Sequence, residues 1–228
     1  MQMESRNYYK TTLGIESFIK KTVDDAGAKG VVFGLSGGID SAVTAFLCAK
    51  AFPENCLAMI MPNLDFTPSS ETDDGIMVAK ILGIRHEIFP IKRISDAYIP
   101  QDEHLVRGNL NARIRANILY MRAAQNNYLV CGTSDRSEFE IGYFTKYGDS
   151  ACDLAPIMHL YKTQIRQIAQ FLGVPLKIIK KKSSAHLYTG HSAETELGMS
   201  YDEIDRLLKS NLGVFGKTDH KRSLPRHL

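Results

Sequence analysis

A glycine-rich loop follows a short apolar run near residue 35, and its residue types suit phosphate binding. Val31 to Leu35 is almost wholly apolar, and Ser36 to Ser41 reads Ser-Gly-Gly-Ile-Asp-Ser before a helix-forming stretch. A turn between a strand and a helix leaves backbone N–H groups unpaired beside the positive end of the helix dipole. Glycine permits close approach of a ligand, and serine hydroxyls can donate further hydrogen bonds. The candidate phosphate-binding residues are Gly34, Leu35, Ser36, Gly37, Gly38, Ile39, Asp40 and Ser41.

Asp40 is the acidic residue of this loop, and a carboxylate beside phosphates would repel them. A Mg²⁺ ion would remove the conflict, because hard cations bridge carboxylate and phosphate oxygens. The structural alternative is that Asp40 only favours the helix N-terminus. The loop lacks the Gly-Lys-Ser/Thr ending of a Walker A motif, so transfer of the terminal phosphate of ATP is not the favoured chemistry.

The string from Ser36 to Ser41 resembles the pyrophosphatase loop (PP-loop) of ligases that cleave ATP between the α and β phosphates and release AMP and pyrophosphate. That group includes NAD synthetase, the synthetase domain that makes GMP, asparagine synthetase and several tRNA-modifying enzymes. The loop alone does not choose among them.

Five further segments resemble NAD synthetase specifically, and they occur in one colinear order. They are Gly108 to Arg115, Cys131 to Glu138, Thr145 to Asp149, Leu160 to Gln164 and Glu194 to Asp205. The resemblance implies an ammonia-dependent enzyme that uses ATP and Mg²⁺ to join ammonia to the nicotinic acid carboxylate of deamido-NAD, through an adenylated intermediate. It also implies a homodimer with the dinucleotide site at the subunit interface.

The resemblance assigns roles to individual residues. Asp40 and Glu138 become the magnesium ligands, and Lys162 reaches the ATP phosphates, so these three residues carry catalysis. Thr133 and Ser184 become ATP contacts. The residues implied to bind deamido-NAD are Arg113, Lys146, Asp153, His220 and Lys221.

Ordinary structural explanations stand beside three of these roles. Glu138 lies three residues after Asp135, so the two could form a capping box at a helix start. Lys162 begins a predicted helix, where its charge opposes the dipole, so it is either functional or a lysine snorkelling from the edge of the core. Arg113 lies next to the apolar stripe of its helix and could be an ordinary solvated arginine.

Strand and helix patterns alternate along the chain and predict the elements that position these residues. Apolar runs at 31–35 and 56–61 predict two strands, and residues 84–91 and 128–131 are predicted as the third and fourth. Amphipathic stretches between and after them predict helices. This alternation predicts a doubly wound α/β fold, a parallel sheet with helices on both faces and ligands beyond the carboxyl ends of the strands. By resemblance it is the PP-loop type of the adenine nucleotide alpha hydrolase-like fold.

Turn and capping residues predict two helix boundaries. Thr67 and Pro68 predict the N-cap and first position of a helix that runs to Gly83. Ser200 and Glu203 predict a capping box for the final helix.

Two segments near the end of the chain read differently from the rest. Residues 183–198 are polar and rich in small side chains, so we expect a mobile flap there, and residues 216–228 form a basic tail. Within the flap, His186 and Ala193 stand where the family usually has a glycine and an acidic residue, so this sequence lacks the acidic side chain that a second metal or flap contact near Ala193 would use.

Length and composition reduce the number of functions that the sequence allows. The 228 residues suit one domain and leave no length for a glutaminase domain. The net charge of +3 predicts no nucleic-acid-binding face, which disfavours the tRNA-modifying alternative. A non-catalytic ATP-binding protein is the other alternative, and it would not require Asp40, Glu138 and Lys162 together.

Cysteine usage and hydropathy indicate the compartment. The four cysteines include no C-x-x-C pair and read as reduced. No apolar stretch suits a secretory signal or a membrane span. We therefore expect a cytoplasmic enzyme with small-molecule substrates and neither nucleic acid nor membrane as a partner.

Overall fold

Four parallel strands form the centre of the computed structural model, which describes residues 2–98, 104–181 and 193–210. The strands are β1 (Gly30–Gly34), β2 (Cys56–Ile60), β3 (Arg85–Ile88) and β4 (Tyr128–Val130), in the spatial order β3-β2-β1-β4. Each pair of neighbours runs parallel.

Helices connect and cover these strands. Their bounds are α1 (Gln2–Asp25), α2 (Ile39–Ala51), α3 (Ser69–Leu82), α4 (Lys92–Tyr98), α5 (His104–Asn126), α6 (Arg136–Ile141), α7 (Lys162–Leu172), α8 (Leu176–Ile179), α9 (Ala193–Leu197) and α10 (Tyr201–Lys209).

The two faces of the sheet bury alternate residues of each strand. Val31 and Phe33 pack into a large core that includes side chains of α1, α2, α3, α7 and α8. Val32 points to the opposite face, where a smaller core holds Ile114 and Ile118 of α5. Both faces are therefore covered, which explains why β1 and β2 read as continuous apolar runs, whereas the edge strand β3 is polar and more exposed. The arrangement confirms the predicted doubly wound α/β fold.

The bounds of β1, β2 and β4 differ from the predicted ones by one residue, and further differences lie in the third strand and at the start of α3. The third strand ends at Ile88 rather than residue 91, because its partner strand β2 ends at Ile60, the residue paired with Ile88. The helix expected from Thr67 begins at Ser69, since the Thr67 hydroxyl accepts a hydrogen bond from the Asn63 N–H (3.1 Å) and so belongs to the preceding turn.

The strand order creates a crevice beside β1. The chain passes from β1 outward to β2 and β3 on one side, then returns to place β4 on the other side. The loops that follow β1 and β4 therefore diverge at their carboxyl ends, which is where doubly wound sheets bind ligands. The PP-loop follows β1, and the segment from Cys131 to Asp135 follows β4.

The predicted flap lies partly outside the described residues. Its described end, residues 193–198, is the short helix α9 followed by Gly198, which has a left-handed φ of 69°. Ala193 is buried against Tyr201 and Ile204. Among the described residues, no helix has both the length and the apolar character to cross a bilayer.

Candidate active site

The PP-loop is held by hydrogen bonds within itself. The hydroxyls of Ser36 and Ser41 lie 3.0 Å apart, and the Ser41 hydroxyl also donates to the Gly38 carbonyl (3.0 Å). The Gly38 N–H donates to the Ser36 hydroxyl (3.2 Å). These bonds fix the turn, so both serines help to shape the loop as well as offering polar groups to a ligand.

The N-terminus of α2 has no side-chain cap. Gly38 occupies the N-cap position and lacks a side chain, so the first N–H groups of this 13-residue helix have no capping acceptor. Unpaired N–H groups at the positive end of a helix dipole favour an anion. The local geometry therefore supports the predicted phosphate site.

Gly37 is required both by its backbone conformation and by its neighbour. Its φ is +86°, and a Cβ atom there would lie 2.3 Å from the Glu71 carbonyl oxygen. We expect Gly37→Ala to destabilise the protein more than Gly173→Ala does, and to weaken ATP binding. Gly173 is the matched control, because its φ is +81° with nothing within 4 Å of the added Cβ.

Comparing the two variants separates the cost of the left-handed backbone at Gly37 from the cost of the steric clash with Glu71. The left-handed conformation alone costs about 1–2 kcal/mol for a non-glycine residue, and both variants incur it. Urea denaturation and ATP titration measure the difference. Equal loss of stability with normal ATP binding in both variants would contradict the close-approach argument.

Lys162 is the centre of a buried ionic cluster. Its side chain is fully buried, and its ammonium nitrogen lies 2.7 Å from Asp40 Oδ2, 2.8 Å from Glu138 Oε1 and 2.9 Å from Asp135 Oδ2. Three segments that are far apart in sequence supply these groups: the start of α2, the segment after β4 with α6, and the start of α7. The structure thus brings together Asp40, Glu138 and Lys162, as the sequence predicted.

Burial and mutual repulsion set the protonation of this cluster. Burial raises the pKa of Glu138 to about 8 and that of Asp135 to about 6, although Lys162 opposes both shifts. Burial alone would lower the pKa of the Lys162 ammonium, but Asp40, Glu138 and Asp135 outweigh it and raise that pKa well above its ordinary value. Lys162 is therefore a fixed cation, and the carboxylates compete for it.

Asp135 is a site residue that the sequence interpretation treated only as a helix cap. It does cap α6, because its Oδ1 accepts a hydrogen bond from the Glu138 N–H (2.8 Å). Its other oxygen faces Lys162. The Glu138 carboxylate also points to Lys162, so a capping box does not account for Glu138.

The three carboxylates have the donor chemistry of a magnesium site. One oxygen from each of Asp40, Asp135 and Glu138 lies within 4.8 Å of the others. Asp40 Oδ1 is buried without a hydrogen-bond partner among the described residues. When all three are ionised, Lys162 neutralises one negative charge and two remain, which a divalent cation would balance. These residues therefore fit Mg²⁺, which prefers carboxylate oxygens.

A second ionic cluster, which the sequence did not predict, contacts the backbone of the PP-loop at Gly37. Lys181 donates to the Gly37 carbonyl (3.0 Å), to Glu71 Oε2 (2.9 Å) and to Asp74 Oδ2 (2.6 Å). Lys177 forms a further ion pair with Asp74. This cluster links α3 and α8 to the backbone of the loop.

The predicted deamido-NAD residues that the structure describes lie outside the ionic cluster around Lys162. Arg113 is exposed on α5 and donates to the Lys146 carbonyl (3.3 Å), which places these two residues side by side. Asp153 accepts from the Val130 N–H (2.7 Å) and from the Tyr120 hydroxyl (3.4 Å). Both oxygens of Asp153 therefore already have structural partners.

Thr133 is half-buried in the segment between β4 and α6. Ser184, His220 and Lys221 lie outside the described residues, as do His186 and the tail 216–228. Their assignments stay predictions.

Comparison with known proteins identifies one family. The family model described as NAD synthase matches residues 12–225. An NH(3)-dependent NAD(+) synthetase from Hyperthermus butylicus is 47% identical over 207 residues, which cover 89% of this chain and 75% of that protein.

Two solved structures share the fold. An NMN synthetase from Francisella tularensis superposes with a TM-score of 0.91 at 31% identity, covering 97% of this chain and 98% of that one. An NH3-dependent NAD synthetase from Campylobacter jejuni superposes with a TM-score of 0.80 at 36% identity and the same coverage.

Proposed function

The chain belongs to the NAD synthase family, and we propose that it forms NAD from deamido-NAD and ammonia while cleaving ATP to AMP and pyrophosphate. It is an ATP-dependent ligase that makes a carbon–nitrogen amide bond. The observation that supports this most directly is the convergence of Asp40 from the PP-loop with Glu138 and Lys162. A protein that only binds ATP has no need of this buried arrangement beside its phosphate loop.

The chemistry proceeds in two balanced steps. A nicotinate carboxylate oxygen attacks the α phosphorus of ATP, and the bond to the β phosphate breaks to release pyrophosphate. Ammonia then attacks the activated carbonyl carbon, AMP leaves and one proton is lost. Neither step requires a protein nucleophile, so the protein mainly positions the reactants and neutralises charge.

Each part of the site has a role in that scheme. The uncapped N-terminus of α2 and the PP-loop residues from Gly34 to Ser41 bind the ATP phosphates. Lys162 provides a fixed positive charge that stabilises the departing pyrophosphate. Thr133 and Ser184 are proposed as further ATP contacts.

Asp40 and Glu138 are proposed as the magnesium ligands, with Asp135 behind them. A bound Mg²⁺ would neutralise negative charge on the ATP phosphates, which the carboxylates would otherwise repel. The carboxylate oxygens of Asp40, Asp135 and Glu138 would hold the ion.

The dinucleotide would occupy the surface that carries Arg113 and Lys146, with Asp153 nearby and His220 and Lys221 from the tail. A planar guanidinium at Arg113 suits a phosphate or carboxylate. Exposed apolar residues of α5, including Tyr120 and Met121, share the Arg113 face. This supports a homodimer that pairs these faces, and sedimentation that finds only monomers at assay concentrations would contradict it.

One structural neighbour indicates a second candidate substrate. The Francisella tularensis structure, which superposes better than the Campylobacter jejuni one, is of an NMN synthetase. Amidation of the corresponding nicotinate mononucleotide uses the same carboxylate chemistry, so the second candidate activity is formation of NMN.

One assay decides between these substrates. We expect NAD, AMP and pyrophosphate from Mg²⁺, ATP, ammonium and deamido-NAD, measured by chromatography, with a lower kcat/KM for the mononucleotide. The mononucleotide alone serves as the matched comparison. Preference for it would assign NMN synthesis instead, and ADP in place of AMP would contradict cleavage at the α phosphate.

We propose a cytoplasmic location. The cysteines are all free, as is usual in a reducing compartment. Recovery of the tagged protein outside the soluble cytoplasmic fraction would contradict this.

A further inference from the structure

Two buried polar residues meet at the N-terminus of α7, and neither has a role in the scheme above. Ser137 of α6 is 0% exposed and Asp205 of α10 is 1% exposed. The Ser137 hydroxyl donates to Asp205 Oδ1. This contact joins α6, the helix that carries Glu138, to α10 near the end of the described chain.

The same two side chains cap the first turn of α7. The Lys162 N–H donates to the Ser137 hydroxyl oxygen (2.9 Å), and the Thr163 N–H donates to Asp205 Oδ2 (2.8 Å). The N-cap residue of α7, Tyr161, makes no capping hydrogen bond to a backbone N–H with its own side chain. Two other helices therefore supply the cap.

This cap offsets the unfavourable position of Lys162 at the start of a helix. A lysine in the first turn of a helix is unfavourable, because its charge adds to the positive end of the dipole. The Asp205 carboxylate lies at that end and offsets the dipole. α10 also contacts the side chain of Lys162, since the ammonium nitrogen lies 4.9 Å from the centre of the Tyr201 ring. α10 thus contacts the first turn of α7 through Asp205 and the Thr163 N–H, and the Lys162 side chain through Tyr201.

We propose that Asp205 is a positioning residue for the reaction, one that acts through Ser137 and the first turn of α7 to hold Lys162 against Asp40 and Glu138. The inference rests on the proposed function, because it assumes that the placement of Lys162 limits the rate. Among the described residues, the hydrogen bonds of the Asp205 side chain go to Ser137 and Thr163 and to none of the four members of the ionic cluster, which are Lys162, Asp40, Asp135 and Glu138.

The test is Asp205→Asn, which keeps the shape of the side chain and removes its charge. We expect kcat for NAD formation to fall by about 10- to 100-fold, the usual range for residues that orient catalytic groups. KM for ATP and for deamido-NAD should change by less than about threefold, because the lost interaction acts on the transition state. Circular dichroism at the assay temperature verifies that the variant is folded.

Asp202→Asn is the matched control. Asp202 lies on the same helix, but its side chain is 71% exposed and pairs with Arg166 at the surface. The same change of charge there should leave kcat within about twofold of the parent.

Ser137→Ala provides an independent route to the same turn. It removes the partner of the Lys162 N–H, and we expect a similar loss of kcat. The double variant should be hardly worse than the worse single variant, because residues of one hydrogen-bonded network are not additive. If Asp205→Asn does not fold, Ser137→Ala and its kcat decide the question alone.

The outcomes separate this inference from the function on which it rests. An active parent with kcat near normal in folded Asp205→Asn or Ser137→Ala overturns the positioning role, as do fully additive losses in the double variant. A parent that makes no NAD overturns the proposed function, and the positioning role for that reaction is lost with it.

Discussion

Asp40→Asn should lower kcat for NAD formation by at least about 1000-fold, while the free energy of unfolding at neutral pH stays within about 1 kcal/mol of the parent or rises. The loss of activity follows from removing a charged oxygen that faces both Lys162 and the proposed metal position. Stability should not fall, because Asp40 repels Asp135 and Glu138 and contributes to the raised pKa of both. Steady-state kinetics and urea denaturation measure the two effects.

Glu138→Gln should behave in the same way. Asp65→Asn is the matched control, since Asp65 forms a surface ion pair with Lys92 (2.6 Å) and lies in a different cluster. Normal activity in Asp40→Asn or Glu138→Gln would remove that residue from the proposed metal site. A large loss in Asp65→Asn would show that the assay responds to charge in general.

Lys162→Met should abolish measurable NAD formation and also destabilise the fold. The variant keeps the three carboxylates but removes the cation that pairs with them, and breaking a buried ion pair in this way costs about 3–5 kcal/mol. Urea denaturation of the parent and the variant measures the loss. Simultaneous loss of activity and stability distinguishes Lys162 from Asp40, whose replacement should affect activity alone.

The stability loss in Lys162→Met should grow with pH. The folded-state pKa values of Glu138 and Asp135, about 8 and about 6, lie above their ordinary values of 4.5 and 3.8. Groups with raised pKa values stabilise the folded protein fully below the unfolded pKa and lose that contribution as pH rises through the folded pKa. Lys162 lowers the pKa of both carboxyl groups, so removing it raises both folded-state values further. The variant therefore continues to lose stability at pH values where the stability of the parent has levelled off.

The gap between parent and variant should therefore be smaller at pH 5 than at pH 8. Lys209→Met is the control, because Lys209 also lies over an aromatic ring, that of Tyr161 at 4.9 Å, yet is exposed. Its replacement should cost little at either pH. A gap for Lys162→Met that is constant or shrinks with rising pH would contradict the account of the cluster.

The residues of the PP-loop were legible in the sequence because their requirements are local. A buried strand, two glycines and a helix start lie within a dozen consecutive positions, so their spacing alone predicts exposed N–H groups. The misplaced charge of Lys162 was also visible, since a lysine at a helix start conflicts with the dipole wherever the helix lies. The two central strands β1 and β2 followed from short continuous apolar runs, which are typical of strands in a sheet covered on both faces.

The partners of these residues were decided by the tertiary structure. Asp135 has the local signature of a helix cap, and it is one, but its contact with Lys162 spans 27 positions and depends on how α6 and α7 pack. Lys181 and Asp205 carry no local signal at all, because a lysine after a short helix and an aspartate within a helix are ordinary surface residues by pattern.

The sequence by itself determined which segment is the candidate phosphate-binding loop and that the fold is a covered parallel sheet. The tertiary structure decided which charges meet there. The physical reason is that backbone periodicity and helix dipoles act over a few residues, whereas the strand order β3-β2-β1-β4 brings together charges such as Asp40 and Lys162, which are 122 positions apart. Because these charges are buried together, they shift the pKa values of Asp135, Glu138 and Lys162.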